Sequence, residues 1–265
     1  ERHCRDPGAL AGRSLVSAGP IFRLSGGRNS LKYCNPDQCD HFFNAQQKKG
    51  AQIMSLELSV VMAGQLGNNV CILADTDSKE AWIIDPSYNP EIVLEKIKQR
   101  GLRVTRILLT HGHFDHFAGV KFLVANLAEK PQLGLHHDDL ELLRDGGGSK
   151  QFHVPVIPPD DPDFFLEDGQ DLHLGDSTVQ VRLAPGHTMG SVIFFMPDLK
   201  TAVCGDVIFY HGIGRTDMPG GNFDTLVDSI RRQVFSLPPE TRLIPGHGAE
   251  TSVNEEMQNN PFLDM

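Results

Sequence analysis

Long apolar runs are missing from this 265-residue chain. Nowhere do about 18 apolar residues follow one another, so no segment is long and apolar enough to cross a bilayer, and no membrane is expected among the partners. Basic residues are in short supply as well: 24 Lys and Arg stand against 34 Asp and Glu, a formal net charge of −10. Clustered cations supply most of the affinity for a phosphate backbone, so nucleic acid is not expected as a partner. Cysteine is sparse and odd in number, with five at positions 4, 34, 39, 71 and 204. That count implies no disulfide framework and points to a reducing compartment, the cytoplasm. Cys71 and Cys204 fall inside apolar strand-like runs, where a thiol behaves as a small hydrophobe.

The charge is unevenly spread. Residues 1–53 hold eight basic residues against four acidic ones, whereas residues 54–265 hold sixteen against thirty. The first methionine is Met54, and the segment before it has neither helical nor strand periodicity. Residues 1–53 are therefore expected to be a poorly structured N-terminal extension and residues 54–265 the folded domain. The extension contains Arg and Ser and few acids, as a processed targeting segment does, but lacks an amphipathic pattern and a secretory apolar centre. Its Cys34, Cys39 and His41 have no second matched pair with which to complete a metal site.

Beyond Met54, LELSVVM (56–62), NNVCILADT (68–76) and EAWIIDPS (80–87) predict an antiparallel meander. Asn89-Pro90 opens a helix with apolar Ile92, Val93 and Ile97 and a stop at Gly101, and the strand RVTRILLT follows. A second helix is expected over FAGVKFLVANLAEK, a short strand at PQLGLHH, a helix at DDLELLRDGGG and a surface loop over 150–169. Strands return at QDLHLG, TVQVRLAP, GSVIFFMP and KTAVCGD, followed by a helix over NFDTLVDSIRRQVFSL, capped by Asn222 or Asp224, and the strand TRLIPG. Two half-sheets, each with helices, suggest a two-sheet sandwich with helices outside.

THGHFDH (110–116) places three histidines and an aspartate directly after a strand. Further His and Asp residues stand beside Gly at the ends of later strands: His187 in APGHTMGS, Asp206 in VCGDVIF and His247 in IPGHGAE. Residues i and i+2 of an extended segment project to one side, so His111 and His113 can grip one ion, while Asp115 and His116, at a helix start, turn to another. With His187 added to the first, His247 to the second and Asp206 between, each ion has the N and O ligands that zinc favours, and imidazole and carboxylate also accept iron or manganese. A single His beside Gly is more often a turn or cap residue; seven such residues in this order are not. A purely structural zinc site would use four ligands, cysteines among them. His136 and His137 are expected at a strand end and cap, and His153 and His173 in polar loops.

The HxHxDH motif at 111–116, followed by PGHT, GD and PGHG, resembles the metallo-β-lactamase superfamily in the order and position of all seven residues. The resemblance covers residues 54–265 and implies an α/β fold, a four-layer αββα sandwich with a dinuclear site at the shared edge of its sheets. GIGRTDMPGG (212–221) and the ending GHGAETSVNEEMQNNPFL look like the short glyoxalase II group, the hydroxyacylglutathione hydrolase-like proteins. That likeness implies hydrolysis of a small-molecule thioester, an S-(2-hydroxyacyl)glutathione such as S-lactoylglutathione, by a metal-bridging hydroxide oriented by Asp115. It also places Arg215 where the long enzyme has a basic residue for the thiol's carboxylate; Asp217 departs from that enzyme's tyrosine and offers Arg215 a structural ion pair instead. Tyr210 and His211 follow Asp206 closely enough to rim the cleft. An iron-dependent persulfide dioxygenase of the same fold is the alternative; it would use a single iron and fewer of these ligands. A β-lactamase is disfavoured by the want of an early secretory segment and of a cysteine in the place of Asp206.

Overall fold

The apolar runs read as strands beyond Met54 form strands, and the alternation of their side chains decides which face each gives to the core. The computed structural model describes residues 55–263; the extension, with Cys34, Cys39 and His41, lies outside the described residues. β1 (Leu56–Ala63), β2 (Asn68–Asp75) and β3 (Glu80–Ile84) form the antiparallel meander. β4 (Arg103–Leu108), β5 (Gln132–His136) and β6 (Phe164–Leu166) add in parallel, giving a sheet of order β1-β2-β3-β4-β5-β6. The second sheet contains β7 (Asp171–Leu174), β8 (Ser177–Leu183), β9 (Val192–Met196) and β10 (Thr201–Gly205). A separate hairpin of β11 (Ile208–Phe209) and β12 (Gly212–Ile213) follows, then β13 (Arg242–Pro245) and β14 (Thr251–Ser252), and the sheet order is β14-β13-β10-β9-β8-β7.

Period-two alternation sorts the core into three layers. On β2, Cys71 and Leu73 point between the sheets, where they meet Trp82, Ile84 and Leu108 of the first sheet and Val179, Val181, Phe194 and Val203 of the second. Ile72 and Ala74 point the other way, into a cluster with Val93, Leu94 and Ile97 of α1 (Pro90–Arg100) and with Phe117, Val120 and Leu123. The last three belong to α2 (Phe114–Phe117) and α3 (Val120–Asn126). α4 (Leu140–Arg144) adds Leu143 to the same layer. The outer face of the second sheet is covered by Leu226 of α5 (Phe223–Ser229), by Ile230 and Val234 of the π-helical turn that continues it, and by Val253 of α6 (Val253–Asn259). The result is the four-layer αββα sandwich of the metallo-β-lactamase fold.

Local chemistry sets the element ends. Pro90 at the first helical position and Gly101 at φ 61° bracket α1, and the Asn222 side chain accepts from Thr225 N–H to cap α5. Four details depart from the sequence expectation. The helix expected from Phe117 starts earlier and breaks in two, because Gly119 N–H donates to Pro86 O at 2.8 Å instead of to the preceding turn, in a contact so tight that a Cβ there would lie 2.4 Å from the Ser87 carbonyl oxygen. In α1 the buried positions are Val93, Leu94 and Ile97, and Ile92 faces solvent. The expected loop over 150–169 contains β6, and the short β14 and α6 follow His247. Among the described residues no helix is long and apolar enough to cross a membrane.

Candidate metal centre

The candidate ligands read from the sequence sit at or just beyond strand ends. His111 and His113 follow β4, Asp115 and His116 lie in α2, His187 follows β8, Asp206 follows β10 and His247 follows β13. β10 and β13 run parallel, and β8 runs parallel to both through two antiparallel steps, so these ends share one edge. The sheets are bonded to each other along that edge: Asn69 N–H donates to Gly246 O at 2.8 Å and Val192 N–H to Thr110 O at 2.8 Å. A Cβ on Gly246 would lie 2.1 Å from Asp206 Oδ1 and 2.7 Å from His116 Cε1, so only glycine lets this segment pass so close.

All seven side chains meet. Three overlapping groups have donor atoms within 4.8 Å of one another: His111, His113 and His187; His111, His116 and Asp206; and Asp115, His116 and His247. His113 Nδ1 lies 2.9 Å from His187 Nε2. His247 Nε2 lies 3.1 Å from Asp115 Oδ2, and His116 Nε2 lies 3.6 Å from the same oxygen. Asp206 faces both sides, with Oδ2 3.6 Å from His187 Nε2 and Oδ1 3.4 Å from His116 Nε2 and 3.7 Å from His247 Nε2.

Four imidazoles are held from behind. His116 Nδ1–H donates to Asp85 Oδ2 at 2.9 Å, His187 Nδ1–H to Arg215 O at 2.8 Å and His247 Nδ1–H to Leu66 O at 3.0 Å. Thr110 donates its hydroxyl to Asp85 and so accepts from His111 Nδ1–H at 3.0 Å. Each of these rings therefore turns an Nε2 lone pair inward. His111 Nε2, His116 Nε2 and Asp206 Oδ1 are buried without a hydrogen-bond partner. Buried polar atoms are seldom left so, and three aimed at one place with only lone pairs to offer fit a cation.

The electrostatics agree. Burial works to raise the pKa of Asp115, but His116 and the hydrogen bonds from His247 and Asn68 outweigh it and hold the carboxyl well below its usual range. Asp206 is likewise opposed by burial yet lowered to about 2 by His116, His187 and His247. Burial and the neighbouring imidazoles push His111 well below its usual value, and burial with His187 takes His113 to about 3. His116 is raised: burial opposes, but Asp115, Asp206 and Asp85 prevail, so the carboxylates favour positive charge at its Nε2, either as a proton or as a cation in the proton's place. Burial raises the thiols of Cys71 and Cys204, both free, so neither is a nucleophile.

Three supporting residues escaped the sequence reading. Asp85, after β3, accepts from Thr110 N–H, Thr110 Oγ1–H and His116 Nδ1–H; a lone Asp-Pro at a strand end was its only signal. Asn68 donates to Asp115 Oδ2 at 3.0 Å. Asp139 accepts from Gly112 N–H, Gly190 N–H and Thr188 Oγ1–H, tying the two His-bearing loops together, and burial raises its pKa against those bonds.

The cluster opens into a cleft of about 660 Å³. Phe114 and Arg215 line it. The Arg215 guanidinium is paired bidentately with Asp217, at 2.7 and 2.8 Å. Tyr210 is not brought to the cleft. It is exposed and stacks on His211, at 4.0 Å between ring centroids, because His211 is drawn to Glu255 and Glu256 of α6 and turns the hairpin tip away. His136 accepts from Asp138 N–H as a cap, outside the cluster.

A family model described as the metallo-beta-lactamase superfamily matches residues 64–247. The chain belongs to that superfamily. Hydroxyacylglutathione hydrolase GloC of Haemophilus influenzae is 34% identical to it over 212 residues, covering 80% of this chain and 99% of the relative. Among solved structures, the BLEG-1 B3 metallo-beta-lactamase superposes with a TM-score of 0.74 at 32% identity, over 79% of this chain and all of that one. TTHA1623, in a di-iron-bound form, gives 0.70 at 36% identity over 77% and 99% of the two chains. This is a metallo-hydrolase of the superfamily, with a His/Asp cluster suited to a dinuclear metal site.

Proposed function

We propose that the protein hydrolyses thioesters of small molecules, with S-(2-hydroxyacyl)glutathiones such as S-lactoylglutathione as the first candidates. His111, His113 and His187 would hold one divalent ion and Asp115, His116 and His247 a second, with Asp206 spanning both. Such ions, zinc by donor preference with iron or manganese also accepted, polarise a carbonyl and bring the pKa of water toward about 7. The Asp115 carboxylate, held ionised, accepts a hydrogen bond from the attacking water and orients it. The water oxygen bonds to the acyl carbon, the C–S bond breaks, and the thiol leaves with a proton from that water. Arg215 holds His187 through its carbonyl and stands at the rim for a substrate carboxylate. Tyr210 has no part in this scheme. We place the activity in a reducing compartment, the cytoplasm.

The observation that carries this proposal is Asp206, with one oxygen toward each group of imidazoles, which furnishes two cation positions rather than one. The likeness to GloC supports thioester chemistry. The test is a spectrophotometric screen of glutathione and coenzyme A thioesters with metal-quantified protein, beside a β-lactam and an oxygen-uptake assay on glutathione persulfide. Thioester cleavage that falls about a hundredfold or more in His111→Ala is expected. One iron per chain with oxygen uptake, or β-lactam opening without thioester loss, would overturn it.

A further inference from the structure

One side of the cleft is an apolar and aromatic wall that a 2-hydroxyacyl group by itself does not cover. Tyr88, Phe114 and Phe152 line it side by side, with ring centroids 6.3 Å apart for the first pair and 5.6 Å for the second. Leu66, Val154 and Met218 extend this apolar side, and Gln65 and Asn89 are the uncharged polar residues beside it. Phe152 and Leu66 are 45% and 55% exposed, so this wall carries large apolar surface into water at the mouth. No lysine lines the cleft among the described residues. Its one arginine, Arg215, lies 5.8 Å from the Phe152 ring and is paired with Asp217, with which a substrate carboxylate would have to share it. The charged groups of a glutathione thiol would meet Arg215, Gln65 and Asn89, which leaves the apolar side of the cleft uncovered. The Tyr88 hydroxyl, by contrast, is buried with no hydrogen-bond partner, beside Asp115 in the lining, where a bound carbonyl would satisfy it.

Resting on the thioesterase proposal, we infer that the preferred substrate carries a large apolar or aromatic substituent next to its thioester, laid along Tyr88, Phe114 and Phe152. A small acyl group leaves that wall wet; a hexyl or benzyl group covers it and gains the transfer energy of its buried carbons. The substituent can belong to the acyl group or to the thiol, and the two are separable by synthesis.

Three arms test this on the full, metal-loaded chain. In the first, acetyl, hexanoyl and phenylacetyl thioesters of one thiol are compared; in the second, acetyl thioesters of ethanethiol and benzyl mercaptan. In the third, calorimetry measures binding of uncleavable S-methyl, S-hexyl and S-benzyl thioethers of one thiol. A rise of about tenfold or more in kcat/KM along the first or second series is expected, with thioether affinity rising in parallel. In Phe152→Ala, and separately in Leu66→Ser, the gradient within the variant should flatten to about twofold. Flat series in both kinetic arms and thioether binding indifferent to the substituent would overturn the inference. A thioether gradient in a protein that cleaves no thioester would instead sink the hydrolytic proposal and leave the apolar wall standing.

Discussion

Asp85 and His116, 31 residues apart in sequence, are joined at 2.9 Å in the buried floor of the cluster, and Asp85 holds a left-handed backbone at φ 52°. Its carboxylate fixes which nitrogen of His116 turns inward, so its charge should matter to any cation that His116 holds.

Asp85→Asn tests that link. Asn tolerates the left-handed conformation, so the backbone is kept while the charge-assisted acceptor is lost. Affinity for the second cation should fall by about 10–100-fold, with the first position still filled, in a metal titration followed by elemental analysis. Two tightly held ions in the variant would contradict the role given to Asp85.

Gly246 and Gly248 make a matched pair. A Cβ at Gly246 collides with Asp206 and His116, whereas at Gly248, at φ 77°, it meets nothing within 4 Å. Gly248→Ala should cost only left-handed strain, about 1 kcal/mol, and keep its metal. Gly246→Ala should purify with metal lost and hydrolysis abolished. Equal metal content in the two variants would count against the close approach.

Asp75 supplies a pH test away from the cluster. Burial opposes its ionisation, but bonds from Ser78, Ser55 and the backbone of Asp77 and Ser78 prevail, so its native pKa lies below the ordinary 3.8. The unfolded chain therefore binds this proton first: the stabilisation is complete above the ordinary value and lost as pH falls through the native one. Asp75→Asn should lower the urea midpoint at pH 7 by about 1 kcal/mol of stability, and the gap from wild type should narrow as pH drops below the ordinary carboxylate value. A gap unchanged with pH would show that the carboxylate's charge is irrelevant there.

Most of the cluster was legible because its residues recur at strand ends beside Gly or Pro, a pattern that survives in one dimension. The strands were legible from alternation, as Cys71 and Leu73 against Ile72 and Ala74 show. Asp85, Asn68 and Asp139 were not, since each acts on partners dozens of residues away and carries no spacing of its own. Tyr210 misled for the opposite reason: nearness to Asp206 along the chain is undone by a two-strand hairpin and the pull of Glu255 and Glu256 on its neighbour. The break between α2 and α3 goes with the bond from Gly119 N–H to Pro86 O, a contact that helical periodicity does not record.

The seven side chains are drawn from both sheets, four from the β4–α2 region and three from beyond β8, β10 and β13. Neither half of the molecule owns a complete set, so a cation held by all of its ligands would tie the two halves together. Cutting the chain between β6 and β7 should leave two fragments that hold metal weakly apart and tightly only when recombined.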